Sequence, residues 1–425
     1  MEHVNSYYAA TANDHPRWPR LEGQVECDVC VIGGGFTGLS SALFLTEAGY
    51  DVVLLEAAVV GFGASGRNGG QVVNSYSRDI DVIEQRYGKE SARMLGSMMF
   101  EGAEIIRDRI DRYAIDCDYR PGGIFAALSA RQMRHLESQQ KVWQRYGNHH
   151  LELLDQTGIR REIGSERYVG GLLDLRGAHL HPLNLALGEA EAIRRHGGRI
   201  YEQSAVTGVT YGAPHRITTA GGEVRARFVI FAGNAYLAPH LEPRLASKSL
   251  PCGSQIITTA PLSADLALSL LPNNHCVEDC NYLLDYFRLT ADRRLLYGGG
   301  VVYGAREPQD VAALIRPKLL KTFPQLAGVK FDYAWSGNFL LTLSRMPQFS
   351  RLENGVYAMQ GDSGHGVTLT HLAGKLIAEA LRGDAERFDA FAGLPHLPFP
   401  GGRRLRVPLT AIGAAWYALR DRLGV

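Results

Sequence analysis

Gly33, Gly35 and Gly38, followed by Glu56, are residue types at spacings that could hold a pyrophosphate and a ribose. The first glycine permits a tight turn, the second lets the backbone approach the phosphates, and the third lets a helix pack closely on a strand. An acid at Glu56 accepts hydrogen bonds from both ribose hydroxyls and repels a 2′-phosphate, which disfavours NADP. That chemistry requires a strand, a turn, a helix and a second strand in register. The sequence supplies them: Val29, Val31 and Ile32 read as a short apolar strand, Leu39 to Ala48 as a helix, and Val52 to Leu55 as the second strand. Phe36 and Thr37 open the helix, whose free N–H groups and dipole favour an anion.

Gly61 to Gln71 has too many glycines for a strand or helix and too few charges for a solvated linker. It reads as a loop wrapped around a ligand. Ala64, Gly69 and Gly70 allow backbone N–H groups to approach a flat ring or phosphate, Ser65, Asn68 and Gln71 can bond ring edges, and Arg67 can neutralise an anion. A nicotinamide cofactor needs no such second loop directly after the ribose acid.

With GASGRNGGQ following the βαβ unit, the chain resembles the FAD-dependent amine and amino-acid oxidases, the family of sarcosine oxidase, glycine oxidase and D-amino-acid oxidase. Three later segments resemble the same family: the strand from Ala205 to Val209, the strand and turn from Phe228 to Tyr236, and Asn354 to Thr370, which ends in the start of a helix. The resemblance implies an α/β architecture, a Rossmann-like FAD-binding domain with a second, mixed-sheet substrate domain. It implies FAD contacts at Val206, Gly233, Gly337, Gly364, His365, Gly366, Val367 and Thr368, with the last helix dipole facing the pyrimidine side of the flavin. Some relatives attach flavin through a cysteine near that motif; Met359, Asp362 and Ser363 provide none, so non-covalent FAD is expected. HLHPLNLALGEA, CVEDCNYLLDYFRLTADRRLLYGGGVVYGAR and GNFLLTLSRMPQF are similar to the branch that oxidises γ-glutamylputrescine in bacterial putrescine breakdown. One departure is Asp362, at a position where the resemblance leads one to expect an aromatic residue.

The 425 residues are 45% hydrophobic and 21% charged, enough for a large core divided between two domains. Lys and Arg number 45 against 44 Asp and Glu, a net +1 that argues for neither nucleic acid nor an anionic surface as partner. No signal peptide or membrane span is read, which points to the cytoplasm. The flavin-like segments recur along the chain, so the domains are expected to be discontinuous: an arm over 1–25, a FAD-binding domain over 26–78, 155–240 and 335–385, a substrate domain over 79–154 and 241–334, and an extension over 386–425. Helices are expected from Ser91 to Tyr113 and from Arg131 to Tyr146, and substrate-sheet strands at Gly122 to Ala126, Ser254 to Thr259 and Leu295 to Gly299. Cys27 and Cys30 form a CxxC at the first strand, where their side chains should diverge, and no metal site is expected.

An amine substrate would deliver hydride to the flavin once stripped of its ammonium proton, and an aromatic pocket would favour the neutral amine. Tyr282, Tyr286, Phe287 and Trp335 are candidate walls; Tyr286, Trp335 and His365 are the candidate catalytic residues. Arg288 is placed on a substrate carboxylate, with Tyr282 and Asp362 beside it. Sarcosine-oxidase relatives carry an oxygen-activating lysine on the strand corresponding to Arg293 to Gly298; here Lys248 or His365 would have to serve, or the acceptor is not oxygen. Leu409, Ile412, Trp416, Leu419 and Leu423 would form one apolar face of a basic C-terminal helix, for docking on the chain itself, a partner or a membrane surface. The expectation is an oxidase of γ-glutamylputrescine using oxygen; a secondary-amino-acid oxidase acting on L-pipecolate or sarcosine, and a non-catalytic flavin-binding subunit, are the alternatives.

Overall fold

Strand Gly23–Ile32 becomes buried along its length, its last four residues completely so. That is the pattern of a central parallel strand covered on both faces. It pairs in parallel with Gly222–Phe231 on one side and Val52–Leu55 on the other, Val31 lying opposite Ile230 and Leu54. The computed structural model describes residues 1–304 and 307–423, the side chains at 403, 418 and 421–423 excepted. An eight-stranded sheet runs in the order Gln348–Glu353, Val356–Gln360, Gly222–Phe231, Gly23–Ile32, Val52–Leu55, Arg199–Tyr201, with the hairpin Val206–Thr210 and His215–Thr219 pairing on the first half of Gly222–Phe231. The expected βαβ unit is therefore its centre.

A nine-stranded mixed sheet lies beside it, in the order Phe331–Thr342, Ser249–Thr259, Leu295–Tyr303, Tyr286–Leu289, Cys276–Asp279, Arg120–Ala127, Gly170–His179, Gln71–Val72, with Leu151–Leu154 pairing on Gly170–His179. The three strands expected for a substrate sheet all belong to it. Two boundaries move, however. Gly170–His179 and Phe331–Thr342, read from sequence as largely FAD-domain segments, are strands of the second sheet, because each finds its ladder partners there.

The helix expected over 91–113 is two, Lys89–Met98 and Glu101–Tyr113. Their break lets Gly102 lie where a β-carbon would sit 2.2 Å from the Thr368 carbonyl oxygen. Helix Phe36–Glu47 is almost wholly buried and crosses helix Gly366–Leu381 at Gly374, whose β-carbon would meet Ser40 Oγ at 2.3 Å. All six cysteines are free. Among the described residues no cluster of His, Cys, Asp and Glu could hold a metal, and no helix is long and apolar enough to cross a membrane.

The C-terminal helix, Gly402–Leu423, docks through Arg406, which donates to the Ala246 and Ser249 carbonyls at 3.0 and 2.7 Å, and through Tyr417, stacked on Tyr282 at 3.9 Å. Leu409, Ile412, Trp416 and Leu419 are exposed rather than packed inward. The side chain of Leu423, expected on the same face, lies outside the described residues.

Beneath the glycine-turn helix sits a buried ion cluster. Arg109 Nη1 lies 2.5 Å from Glu189 Oε1, His371 Nε2 is 3.0 Å from the same oxygen, and Arg109 also donates to the Ser40 carbonyl at 3.2 Å. Burial pushes the Glu189 carboxyl up, but His371 and Arg109 outweigh it and hold the group below its ordinary value. A carboxylate so depressed contributes stability above its unfolded pKa and loses it as pH falls through the lower folded value. Glu189→Ala, which strands the Arg109 charge, should destabilise the protein by about 3 to 5 kcal/mol; denaturant titration at neutral pH measures it, and the gap from wild type should narrow in acid.

Candidate functional site

One cavity of about 570 Å³ is bounded by the glycine turn, the 62–71 loop, the start of the 206–219 hairpin, the second sheet and the entry to helix Gly366–Leu381. At its dinucleotide end, Gly33 has φ +116°, and a β-carbon there would lie 2.9 Å from the carbonyl carbon of Ala232. A β-carbon on Gly38 would lie 1.9 Å from Gly33 O. Gly38 accordingly does not line the cavity: it serves helix–strand packing. Gly35 passes close to Ser65, whose Oγ accepts from the Phe36 N–H at 2.8 Å, so the glycine loop itself caps the helix. Glu56 accepts from the N–H groups of Gly34 at 2.7 Å and Ala58 at 2.8 Å, which fixes the carboxylate at the cavity wall with acceptor capacity remaining. Burial raises its pKa.

The loop's polar side chains mainly hold the loop. Asn68 donates to the Ala64 and Ser65 carbonyls and accepts from the Gly70 N–H at 2.7 Å. Arg67 donates to the Phe62 carbonyl at 2.7 Å and lies over the Phe62 ring at 4.5 Å. Gln71 donates to the Val277 carbonyl at 2.9 Å, joining the loop to the second sheet. Ala64, Ser65, Arg67, Asn68, Gly69 and Gln71 all line the cavity, whereas Gly70 lies behind it, its β-carbon position 2.8 Å from Arg288 Nη2.

Four expected site residues are placed elsewhere. Arg288 is 2% exposed and donates to the Gly69, Leu180 and Leu289 carbonyls and to the Tyr8 hydroxyl, at 2.7 to 3.1 Å. With four of its five donors engaged there, it braces the glycine loop and does not line the cavity. Trp335 is buried, donates to the Arg67 carbonyl at 2.9 Å and packs on Tyr8. Phe287 points to the opposite face of its strand from Tyr286 and stacks on Tyr297. Lys248 does not line the cavity. Tyr282 and Tyr286 do, and Ser254 Oγ and Tyr286 Oη are 2.9 Å apart.

The 361–366 turn enters the cavity through left-handed backbone at Gly361, Ser363 and Gly364. Asp362 braces it, accepting from Asn234 Nδ2 at 2.7 Å and the Gly364 N–H at 2.9 Å. An acid in place of the expected aromatic thus has a local reason. His365 lines the cavity with a buried Nδ1 that has no hydrogen-bond partner; burial pushes its pKa down to about 4, so the ring is neutral near pH 7. Gly366, Val367 and Thr368 follow at the helix N-terminus; Val206, Gly233, Gly337 and Gly364 line the same space.

Sequence reasoning missed Arg345, Arg78 and Glu278, all cavity-lining. Arg345 donates to the Tyr282 hydroxyl at 2.8 Å. Its left-handed φ of +65°, in a tight turn after strand Phe331–Thr342, left no residue-type signal in the sequence. Glu278 had one: it alternates with Val277 on a short strand, which puts it on the face opposite the core.

A parallel sheet with glycines where β-carbons would clash, a fixed ribose-facing acid and a glycine loop closed by a second helix N-terminus form a cradle fitted to FAD. This is the architecture of flavin-dependent oxidoreductases with a D-amino-acid-oxidase type of fold. The chain belongs to the FAD dependent oxidoreductase family, which matches residues 28–380. It is 69% identical over 424 residues to γ-glutamylputrescine oxidoreductase of Escherichia coli, covering 100% of both chains, and 42% identical over 427 residues to the probable oxidoreductase OrdL of Haemophilus influenzae, covering 99% and 98%. Glycine oxidase from Geobacillus kaustophilus shares the fold at TM-score 0.70 and 22% identity, over 84% of this chain and 95% of that one.

Arg288→Ala would leave buried carbonyl oxygens without donors at about 1 to 3 kcal/mol each. Lower thermal stability and a reduced flavin-to-protein ratio after gel filtration are expected, in contrast to a selective rise in KM; absorbance at the flavin band and a melting curve decide between them.

Proposed function

We propose that this protein catalyses the oxidative deamination of γ-glutamylputrescine, with water and oxygen giving γ-glutamyl-γ-aminobutyraldehyde, ammonia and hydrogen peroxide. The observation that carries the reading is the pairing of Arg345 with Tyr282 in the same cavity as the glycine loop and His365. Tyr282 lies beneath Tyr417 of the C-terminal helix, so this cation stands at an outer end of the space. A long γ-glutamyl substrate needs its carboxylate partner remote from the reacting amine, and Arg345 is suited to that part. The full-length identity to the Escherichia coli enzyme supports the same substrate.

When bound, FAD supplies the hydride acceptor for the amine α-carbon. The protein supplies position and protonation state. Tyr286, held by Ser254, is an aromatic wall beside Gly69 and Gln71, its ring 2.7 Å from where a Gly69 β-carbon would be. A desolvated site favours the neutral amine, whose lone pair assists departure of the hydride. His365, neutral near pH 7, can hydrogen-bond without adding charge. The N-terminus of helix Gly366–Leu381 offers its positive end to negative charge gathering in the cavity. Oxygen as acceptor would be assisted by arginine, since the cationic side chains lining the cavity among the described residues are Arg67, Arg78 and Arg345.

Anaerobic mixing with γ-glutamylputrescine, putrescine, sarcosine and L-pipecolate, followed by air, tests the reading. Bleaching of the flavin band by γ-glutamylputrescine, with recovery and peroxide in air, is expected. Bleaching by sarcosine or L-pipecolate instead moves the assignment to secondary amino acids, and bleaching without recovery in air removes oxygen as acceptor. Arg345→Ala should raise the KM for γ-glutamylputrescine by about tenfold to a hundredfold, the loss of about 1.5 to 3 kcal/mol typical of a charge-assisted bond; an unchanged KM excludes Arg345 from the carboxylate.

A further inference from the structure

We propose that Glu278 receives the ammonium end of the substrate, pairing with the cation and then taking its proton. The proposal rests on the amine-oxidation reading above and supplies the proton acceptor that this reading lacks.

Among the described residues three acids line the cavity: Glu56, Asp362 and Glu278. Glu56 is tied to two backbone N–H groups, and Asp362 to Asn234 and Gly364. Glu278 has no hydrogen-bond donor among the described residues. It is partly exposed into the cavity, where a bound cation would give this unpartnered carboxylate a charge-assisted bond.

Its place is set by strand register. Glu278 lies opposite Tyr286 on one neighbouring strand and Phe125 on the other. Cross-strand partners share a face, so Glu278 stands on the same side of the sheet as the cavity wall formed by Tyr286. Val277, one residue earlier, packs in the core behind the sheet, while its carbonyl accepts from Gln71 of the glycine loop. The wall where loop and sheet meet is therefore Gly69, Gln71, Tyr286 and Glu278, opposite in role to the Arg345 end. A substrate with a carboxylate at one end and an amine at the other finds a cation and an anion to match.

The charged surroundings favour a proton acceptor. Asp279 is adjacent along the strand, and its carboxylate turns towards Arg167 at 3.6 Å. Tyr286 is the titratable group across one ladder; Phe125 on the other side, and Gln71 from the loop, bring no charge. His365 is neutral near pH 7, and Arg78 lines the same space. Burial first, and then Asp279, push the Glu278 carboxyl up to about 7. An alkylammonium ordinarily has a pKa near that of lysine, about 10.4, and desolvation brings it down towards that of its acceptor. In the transfer one N–H bond of the ammonium breaks and one O–H bond forms on Glu278. The lone pair stays on nitrogen, and the proton passes to water after product leaves.

The test uses the FAD-loaded enzyme, its Glu278→Gln and Glu278→Asp variants, and tert-butylammonium, a cation with no α-hydrogen to lose. Its Kd is read from perturbation of the flavin spectrum. Wild type should bind it about tenfold more weakly at about pH 6 than at about pH 8, because protonation of Glu278 removes the anion. Glu278→Gln should bind it weakly at both pH values and lose the limb near 7 from its kcat/KM profile with γ-glutamylputrescine; Glu278→Asp should keep a limb, which separates charge from folding. Unchanged affinity and an unchanged limb in Glu278→Gln overturn the proposal. If γ-glutamylputrescine fails to bleach the wild-type flavin while tert-butylammonium binding still depends on Glu278, the substrate reading fails and the cation site stands.

Discussion

The site depends on a guanidinium that never touches it. Arg288 is buried at the seam between the two sheets, where it gathers carbonyls from the glycine loop, from Leu180 and from its own strand, together with the Tyr8 hydroxyl. A loop rich in glycine has high conformational entropy, and ordering it needs an interaction strong enough to offset that loss. Five N–H donors in a rigid fork can hold several backbone oxygens at once. The same arginine stands so near Gly70 that any side chain there would collide with it. The glycine and the arginine constrain each other, and the cavity wall at Gly69 follows.

Local backbone demands made much of the FAD half legible. Gly38 is required by a steric contact with Gly33 five residues earlier, Gly33 takes a left-handed turn, and the periodicity of strand, helix and strand shows in the same window. The substrate half was less so. The strands were recognisable, but which face and which end of each strand reached the cavity depended on partners far away in the chain. Tyr286, Phe287 and Arg288 illustrate this: Tyr286 lines the cavity, Phe287 joins the opposite core, and Arg288 shares the first face yet is sealed beneath Gly69 and Gly70. Arg345 was invisible for a different reason, lying in a turn with left-handed backbone.

Asp362 shows how an acid can be held at a position expected to carry an aromatic residue. Its carboxylate accepts two hydrogen bonds, from a side chain of the other cavity-facing turn and from the backbone of its own. Asn234 completes the stitch by accepting from the Gly361 N–H at 3.1 Å. Burial raises the pKa of Asp362, and the bonds from Gly364 and Asn234 oppose that shift. With its oxygens so engaged, the group is a poor receptor for a substrate amine, although its position in the motif makes it the obvious acid to suspect.

The distribution of charge in the cavity therefore follows from which groups the fold has already satisfied. Arg67 is stacked on Phe62 and bonded to that residue's carbonyl, Glu56 is fixed by the turn that it faces, and Asp362 is held between two turns. Arg345 is oriented by the Tyr282 hydroxyl and also faces that of Tyr303, and Tyr282 is covered by Tyr417 of the C-terminal helix. Glu278 is positioned by its ladder neighbours alone. Groups with donors or acceptors to spare are the ones that gain most from a ligand, since the satisfied ones must surrender a bond to make another. Arg345 and Glu278, of opposite sign and on separate elements, thereby define a site for a molecule with charge at both ends.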